Sequence, residues 1–204
     1  MISIAITGGI GSGKSYVCKQ LEAMGVPIYD ADSQAKQLML TDPVIKEQLV
    51  ALLGEDVYEH GQLNKKMLAE YLFAEASHAD LINGIVHPRV KHHFLMWLQS
   101  NADKEIAGME CAILFESGFD QVVDKVVMVT APEPLRLERA MKRDAATQQQ
   151  IKARMNMQMP DAEKERRSHF SICNDGKMPV EPQIAALIEK LKEENKRKIC
   201  ESAR

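Results

Sequence analysis

The chain has 204 residues, of which 45% are hydrophobic and 27% are charged, and its formal net charge is −3. This composition is typical of a globular protein with one sizeable core, and it argues against disordered and membrane classes. The small negative charge argues against broad nucleic-acid binding. Because the four cysteines form no C-x-x-C pair and no leader-like segment opens the sequence, we expect free thiols and a cytoplasmic protein; they are Cys18, Cys111, Cys173 and Cys200.

A glycine-rich segment near the N-terminus fits the pattern G-x-x-x-x-G-K-[ST] and reads Gly8-Gly9-Ile10-Gly11-Ser12-Gly13-Lys14-Ser15. Alternating isoleucines from Ile2 predict a strand before it, and Val17, Leu21 and Met24 predict an amphipathic helix after it. In that context the backbone N–H groups can surround phosphates, Lys14 can reach the β- and γ-phosphates, and the Ser15 hydroxyl can ligate magnesium. The segment therefore predicts a site for a nucleoside triphosphate with Mg²⁺.

A second strand is predicted at Val26 to Tyr29, and it ends at Asp30-Ala31-Asp32. Ligands of open α/β sheets bind at the carboxyl ends of the strands, so both carboxylates could face the phosphates. They could equally be a helix N-cap and an acid in the first helical turn. The pattern alone leaves both interpretations open.

Residues 33–100 read as predominantly helical, which is far more chain than a simple crossover needs. We expect a separate helical lobe that binds a second substrate. His87-Pro88-Arg89 predicts a junction between two helices, because proline favours the first helical position.

Two buried parallel strands are predicted next, at Glu110 to Glu116 and at Lys125 to Thr130. A helix from about Glu133 then leads into a basic stretch containing Arg136, Arg139, Lys142, Arg143, Lys152 and Arg154. These side chains could close over a triphosphate as a lid, or they could be a solvated helix face. Phe170 to Cys173 predicts the last strand, Asn174-Asp175-Gly176 predicts a turn, and an amphipathic helix closes the chain at Ile184 to Leu191.

Phosphoryl transfer needs an acceptor in line with the γ-phosphate, neutralised phosphate charge and exclusion of water. Lys14 and Mg²⁺ can neutralise charge, and Asp32 can orient an acceptor hydroxyl or take its proton. A small GTPase would need an N-K-x-D motif, whereas Asn195-Lys196 is followed by Arg197-Lys198. No L-S-G-G-Q segment or terminal Asp-Glu pair of a motor ATPase is present, so a small-molecule kinase is favoured.

Several of these motifs together resemble the dephospho-CoA kinase family over nearly the whole chain. They are the Thr7–Ser15 loop, Asp30-Ala31-Asp32 with Ala35, His87-Pro88 with Val90, Leu114-Phe115-Glu116, Arg139, Arg143-Asp144, Arg154 with Gln158, and Asn174 with Gly176. The resemblance implies transfer of the ATP γ-phosphate to the ribose 3′-hydroxyl of dephospho-CoA, the last step of coenzyme A synthesis. It also implies an α/β fold with about five parallel strands, helices on both faces, a helical CoA-binding lobe and a lid.

The same resemblance assigns roles to individual residues. Asp32 corresponds to the catalytic acid/base and a substrate contact, and Lys14 and Arg139 are further catalytic candidates. The loop residues from Gly8 to Ser15, Tyr16, Arg143 and Asn174 are expected to bind ATP, with Ser15 on Mg²⁺. His87 and Glu116 are expected to contact dephospho-CoA.

The expected organisation is one kinase domain. Its nucleotide-binding core comprises residues 1–32, 101–137 and 168–204, the acceptor-binding insertion comprises 33–100, and the lid comprises 138–167. The chain departs from the family pattern where Tyr16 replaces a usual threonine, where Glu110 and Ala112 replace Asp and Pro, and at Ser168-His169. A nucleoside or nucleotide kinase and an inactive nucleotide-binding module remain alternatives, and the oligomeric state is left open.

Overall fold

The structure is a computed structural model, and it describes residues 1–202. Its strands are β1 (Ile2–Thr7), β2 (Ile28–Asp30), β3 (Tyr58–Glu59), β4 (Gln62–Leu63), β5 (Ile106–Glu110), β6 (Lys125–Thr130) and β7 (Phe170–Cys173). Its helices are α1 (Lys14–Ala23), α2 (Ala31–Thr41), α3 (Pro43–Leu53), α4 (Lys65–Ala74), α5 (Ala76–Ser100), α6 (Glu133–Asp144), α7 (Gln148–Asn156), α8 (Asp161–Arg166) and α9 (Val180–Ser202). The chain forms two compact units, which we call the core unit (Met1–Tyr29 and the chain from Leu98 onward) and the helical unit (Asp30–Trp97).

A five-stranded sheet organises the core unit, in the order β2-β5-β1-β6-β7. β1 pairs in parallel with both β5 and β6, and β6 pairs in parallel with β7. The predicted parallel α/β sheet is therefore confirmed. Since β1 is the central strand, the glycine-rich loop that follows it lies at the middle of the carboxyl edge of the sheet.

One face of the sheet is covered by α1 and α9, and this packing explains the apolar periodicity of the sequence. Ile2, Ile4 and Ile6 are fully buried in a cluster with Val17 and Leu21 of α1. The predicted apolar residues of the closing helix lie in the same cluster, namely Ile184, Leu187, Ile188 and Leu191. The prediction for Met24 was wrong, because this residue lies at the C-cap of α1 and is 43% exposed.

The strand predicted at Glu110 to Glu116 lies earlier in the chain, as β5 at Ile106–Glu110. Its residues pair with β1 up to Glu110, opposite Ile6. The apolar run after Glu110 instead forms a turn, in which Ser117 N–H donates to Ile113 O and Phe119 N–H donates to Leu114 O. Gly108 lies inside this strand although glycine has a low strand propensity, so residue preferences alone do not predict the strand here. Glycine is favoured at this position because a Cβ would lie 2.6 Å from Ile28 Cδ1.

The helical unit is built from capped helices, which confirms the predominantly helical prediction for this part of the chain. Asp42 accepts hydrogen bonds from Val44 N–H and Ile45 N–H and so caps α3. Arg89 of α5 donates to the same Asp42 through Nε and Nη2, at 2.9 and 2.7 Å. β3 and β4 form a short antiparallel hairpin between α3 and α4.

The predicted helix junction at Pro88 was wrong, because Pro88 lies inside the single helix α5. An internal proline costs a helix about 3 kcal/mol. Burial on one stripe of the helix offsets this cost, since Ile82, Val86, Val90 and Phe94 recur every four residues and are buried.

The described cysteines other than Cys200 are free thiols, as expected, and they are Cys18, Cys111 and Cys173. The side chain of Cys200 lies outside the described part of the structure. Within residues 1–202, no helix has the length and the apolar character that a membrane crossing requires.

Candidate active site

The glycine-rich loop connects β1 to α1 in a form suited to anion binding. Gly13 is the N-cap of α1 with φ +90°, and it contributes no side-chain cap. The first N–H groups of a helix lack intrahelical partners, so this helix start is open to an acceptor and carries partial positive charge. Gly8 lies against the carbonyl of Val129, and a Cβ at that position would collide with it.

Lys14 folds back over the loop that it follows. Its Nζ donates to Gly8 O at 2.8 Å and to Gly9 O at 3.3 Å. The ammonium is therefore held directly above the loop, at the carbonyl oxygens that phosphate oxygens could replace as acceptors.

Ser15 and Glu110 form a pair of oxygen ligands beside the loop. Ser15 Oγ donates to Glu110 Oε1 at 2.7 Å, and Glu110 is the last residue of β5. No group of three or more His, Cys, Asp or Glu side chains that could hold a metal occurs among the described residues. A hydroxyl and a carboxylate nevertheless fit Mg²⁺, which prefers oxygen ligands and keeps several waters when it binds beside phosphates.

Two cavities of the core unit meet at the loop. The larger, about 520 Å³, is lined by Gly13, Tyr16, Arg139, Asn174 and the segment from Gly176 to Glu181. The smaller, about 200 Å³, is lined by Gly11, Gly13, Lys14, Ser15, Arg139, Ala140 and Arg143. Because Gly13 and Arg139 line both, the two adjoin, and we call them together the elongated space; of the predicted ATP residues, Arg143 lines the smaller cavity and Asn174 the larger.

Asn174 connects the glycine-rich loop to Arg139 of α6. Its Nδ2 donates to Ser12 O at 2.9 Å, and its own backbone carbonyl accepts from Arg139 Nη1 at 2.9 Å. The side chain of Arg139 is thereby held beside the loop. The solvated-helix interpretation is accordingly not supported for this arginine.

Arg143 belongs to a small charged network. It donates to Asp144 through Nε and Nη2, and Arg154 of α7 donates to the same carboxylate at 2.6 Å. These two guanidinium groups, Arg143 foremost, hold the pKa of Asp144 far below its ordinary value. The carboxylate therefore ties the end of α6 to α7.

Tyr16 is one of the residues that line the larger cavity. Its hydroxyl donates to Glu181 Oε1 at 2.6 Å, which connects α1 to the first turn of α9. This hydrogen bond raises the pKa of Tyr16 and lowers the pKa of Glu181. The residue that departs from the family pattern thus has a defined partner in this chain.

Sequence reasoning named Gln158 and Arg136 but assigned neither an individual role at the loop, and it did not single out Asp161. Gln158 Oε1 accepts Ile10 N–H at 3.2 Å, and Arg136 Nη2 lies 2.6 Å from Asp161 Oδ2. Arg136 was grouped with the other basic residues of α6. Its helical spacing from Arg139 and Ala140 places it toward the loop, but the pairing with Asp161 depends on tertiary structure.

Glu116 follows β5 and is engaged by two donors at one oxygen. Its Oε1 accepts Met159 N–H at 2.7 Å and lies 3.1 Å from Lys164 Nζ. Lys164 is fully buried and also donates to Ala112 O at 2.7 Å. The carboxylate therefore anchors the segment before α8.

Asp32 and His87 belong to the helical unit. Asp30 is the N-cap of α2 and accepts from Ser33 N–H, and Asp32 is an exposed acid in the first turn of that helix. The helix-cap interpretation is thus confirmed for Asp30. His87 lies on α5 and is half-buried, and its pKa is lowered by burial and then by the nearby charge of Lys91.

Comparison with known proteins identifies the family. A family model described as dephospho-CoA kinase matches residues 2–179. The chain is 54% identical over 187 residues to a Bacteroides fragilis dephospho-CoA kinase, covering 92% of this chain and 91% of that one. It is 40% identical over 190 residues to the Porphyromonas gingivalis dephospho-CoA kinase, covering 93% and 94%.

Solved structures agree in fold. A Thermus thermophilus protein superposes with a TM-score of 0.79 at 30% identity, over 93% of this chain and 97% of that one. A Campylobacter jejuni dephospho-CoA kinase superposes with a TM-score of 0.69 at 22% identity, over 95% and 98%, and at that identity it supports the fold alone. These matches do not favour the alternatives of a nucleoside kinase or an inactive module. The chain therefore belongs to the dephospho-CoA kinase family, whose enzymes phosphorylate the ribose 3′-hydroxyl of dephospho-CoA with ATP in the last step of coenzyme A synthesis.

Proposed function

We propose that the elongated space at the glycine-rich loop is the ATP site of this kinase, with the base in the larger cavity and the phosphates in the smaller one. The observation that carries this proposal is that Gly13 and Arg139 line both cavities. The loop N–H groups, Lys14 and the start of α1 would stabilise the triphosphate. Asn174 and Tyr16 would flank the nucleoside.

Magnesium would be held by Ser15 together with Glu110. The hydroxyl and the carboxylate already meet at 2.7 Å, and both are oxygen ligands of the kind that Mg²⁺ prefers. When bound with ATP, the ion would neutralise charge on the phosphates.

The charge that develops on the transferred phosphoryl group would be stabilised by Lys14 and Arg139. Both cations are held close to the loop by the protein itself, Lys14 by loop carbonyls and Arg139 by Asn174 O. A preorganised donor of this type needs little rearrangement during the reaction. Arg143 lines the smaller cavity as well and would contact the phosphates from the other side.

Asp32 is the proposed acid/base that takes the proton of the acceptor 3′-hydroxyl. Its support is its exposure and its place in the chain, two residues after the end of β2. The helical insertion (33–100) is the proposed acceptor lobe, with His87 and Glu116 as substrate contacts, and residues 138–167 are the proposed lid. Since Oε1 of Glu116 is already engaged, a substrate would meet its other oxygen.

A cytoplasmic location is proposed as well, and the free thiols of Cys18, Cys111 and Cys173 support it.

Three variants test these assignments, with ATP affinity and turnover measured separately. Asp32→Asn should leave ATP binding nearly intact and slow turnover, because it removes only the proton acceptor. Arg139→Ala should lower turnover by about 10²- to 10³-fold, as other preorganised donors do. Lys14→Ala should weaken ATP binding. Equal losses of affinity and turnover in Asp32→Asn would show that this residue is structural, and an unchanged rate in Arg139→Ala would remove that residue from the site.

A further inference from the structure

An ion pair between a buried arginine and a partly exposed aspartate lies against one side of the glycine-rich loop. Arg136 of α6 has a side chain that is only 10% exposed, and its Nη2 lies 2.6 Å from Asp161 Oδ2 at the start of α8. A buried guanidinium is costly unless it is paired and hydrogen-bonded. Arg136 Nε is buried without a partner among the described residues, so the Asp161 pairing has the main part in fixing the guanidinium.

Both polar backbone groups of Ile10, its carbonyl oxygen and its N–H, have partners on the side of the loop where this ion pair lies. Its carbonyl oxygen lies 3.5 Å from Arg136 Nη1, and its N–H donates to Gln158 Oε1 at 3.2 Å. The peptide groups of Ile10 are therefore engaged with α6 and with the segment that leads into α8. Ser12 N–H donates to Gly9 O at 3.2 Å within the loop, so the N–H groups that we assign to the phosphates are those from Gly13 onward, at the start of α1.

The glycines of the loop fit the same packing. A Cβ on Gly9 would lie 2.6 Å from Asp161 Oδ1 and even closer to Arg136 Nη1. A Cβ on Gly11 would collide with the backbone carbonyl of Arg136. Gly9 has no positive φ, so what favours glycine there is the close approach of two side-chain ends, those of Arg136 and Asp161.

We propose that Arg136 and Asp161 are a positioning pair for ATP. They fix the loop at Gly9–Gly11 so that the following N–H groups face the triphosphate. They also connect α8 to the loop when ATP is bound. This inference rests on the proposed ATP site. Neither residue contacts the phosphates in it, since neither lines the cavity formed by Gly11, Lys14 and Ser15. Their effect is through the loop conformation.

The test is steady-state kinetics with ATP varied at saturating dephospho-CoA, together with equilibrium ATP binding and thermal melting. Arg136→Met and Asp161→Asn should each raise the KM for ATP by about tenfold or more, the usual effect of losing a charge-assisted hydrogen bond. kcat should fall by less than the KM rises. The double variant should be no worse than the worse single variant, because the two residues act as one unit.

Lys104→Met is the control, because Lys104 forms an exposed ion pair with Asp103 just before β5, at the edge of the sheet opposite the glycine-rich loop. It should leave the KM for ATP unchanged. If Arg136→Met does not fold, Asp161→Asn decides the question, because it keeps the side-chain volume at a partly exposed position.

A lower melting temperature with an unchanged KM for ATP in Asp161→Asn would show that the pair is only structural and would overturn the proposal. Additive effects in the double variant would overturn it as well. Lys14→Ala distinguishes a failure of the proposed ATP site from a failure of the positioning pair. If Lys14→Ala binds ATP as well as the unmodified protein does, the proposed ATP site itself is wrong. If Lys14→Ala loses ATP affinity while the Arg136 and Asp161 variants keep the KM for ATP unchanged, only the positioning pair is rejected.

Discussion

The ion pair between Lys164 and Glu116 gives a sharp prediction, because its two partners are buried to different extents. The side chain of Lys164 is 0% exposed, whereas that of Glu116 is 25% exposed. Neutralising either partner removes the same ion pair, in which Lys164 Nζ lies 3.1 Å from Glu116 Oε1. The cost should nevertheless depend on which charge is left behind.

Glu116→Gln keeps a neutral acceptor oxygen for Met159 N–H and Lys164 Nζ, but it leaves the buried ammonium of Lys164 without the opposite charge of its ion pair. Leaving an uncompensated buried charge costs about 3–5 kcal/mol. Lys164→Met fills the same space with an apolar chain and leaves a carboxylate that water can reach, so it should cost about 1–2 kcal/mol. For a chain of this length the difference corresponds to about 5 °C in melting temperature.

Urea unfolding of the ligand-free protein, followed by circular dichroism, measures both losses. The double variant Lys164→Met/Glu116→Gln should be close to Lys164→Met alone, since no buried cation remains in it. A larger loss for Lys164→Met than for Glu116→Gln would refute the reasoning. Equal losses would do the same, because they would show that the unequal burial does not set the cost.

Two further predictions concern the segment from α6 to α7. Ala145 has φ +48°, so Ala145→Gly should stabilise the protein by about 0.5–1 kcal/mol, while the control Ala153→Gly on the exposed face of α7 should destabilise it by about 1 kcal/mol. Loss of stability in both would show that Ala145 is not strained. Because Arg143 and then Arg154 lower the folded-state pKa of Asp144, its contribution to stability is present above its unfolded pKa of about 3.9 and is lost as the pH falls through the lower folded value. The stability gap between the unmodified protein and Asp144→Asn should thus be flat above about pH 5 and shrink in stronger acid; a gap that closes near neutral pH would contradict this assignment.

The parts of the fold that follow from local sequence were predicted well. β1, β6 and β7 lie where the apolar patterns predicted strands, and the loop between β1 and α1 is specified by its glycines, Lys14 and Ser15. The bounds of β6 agree with the prediction at both ends. Burial on both faces of a parallel strand leaves a pattern that a single sequence can show.

The errors occurred where tertiary packing outweighs local preference. β5 contains Gly108, a poor strand former, which is needed because Ile28 packs against its backbone. A proline usually ends a helix, yet α5 continues through Pro88. The buried apolar stripe of α5 offsets the hydrogen bond that the proline cannot make.

The candidate site was predicted in outline, and its side-chain pairs were not. Lys14, Ser15, Arg139 and Arg143 were expected near the phosphates and Asn174 was expected near the adenine, and the structure brings all five to two adjoining cavities. Their partners lie far away in the sequence. Ser15 meets Glu110, Tyr16 meets Glu181, and Arg136 meets Asp161, and no spacing rule reports contacts of that kind.

The central claim is that this chain phosphorylates the 3′-hydroxyl of dephospho-CoA with the residues around one glycine-rich loop. The direct measurement is incubation with Mg-ATP and a panel of acceptors, namely dephospho-CoA, adenosine and AMP, with the products identified by mass spectrometry. We predict 3′-phosphorylated product from dephospho-CoA, little turnover of the other acceptors, and loss of that product in Lys14→Ala. Preferential phosphorylation of adenosine or AMP, or no product from dephospho-CoA, would contradict the account.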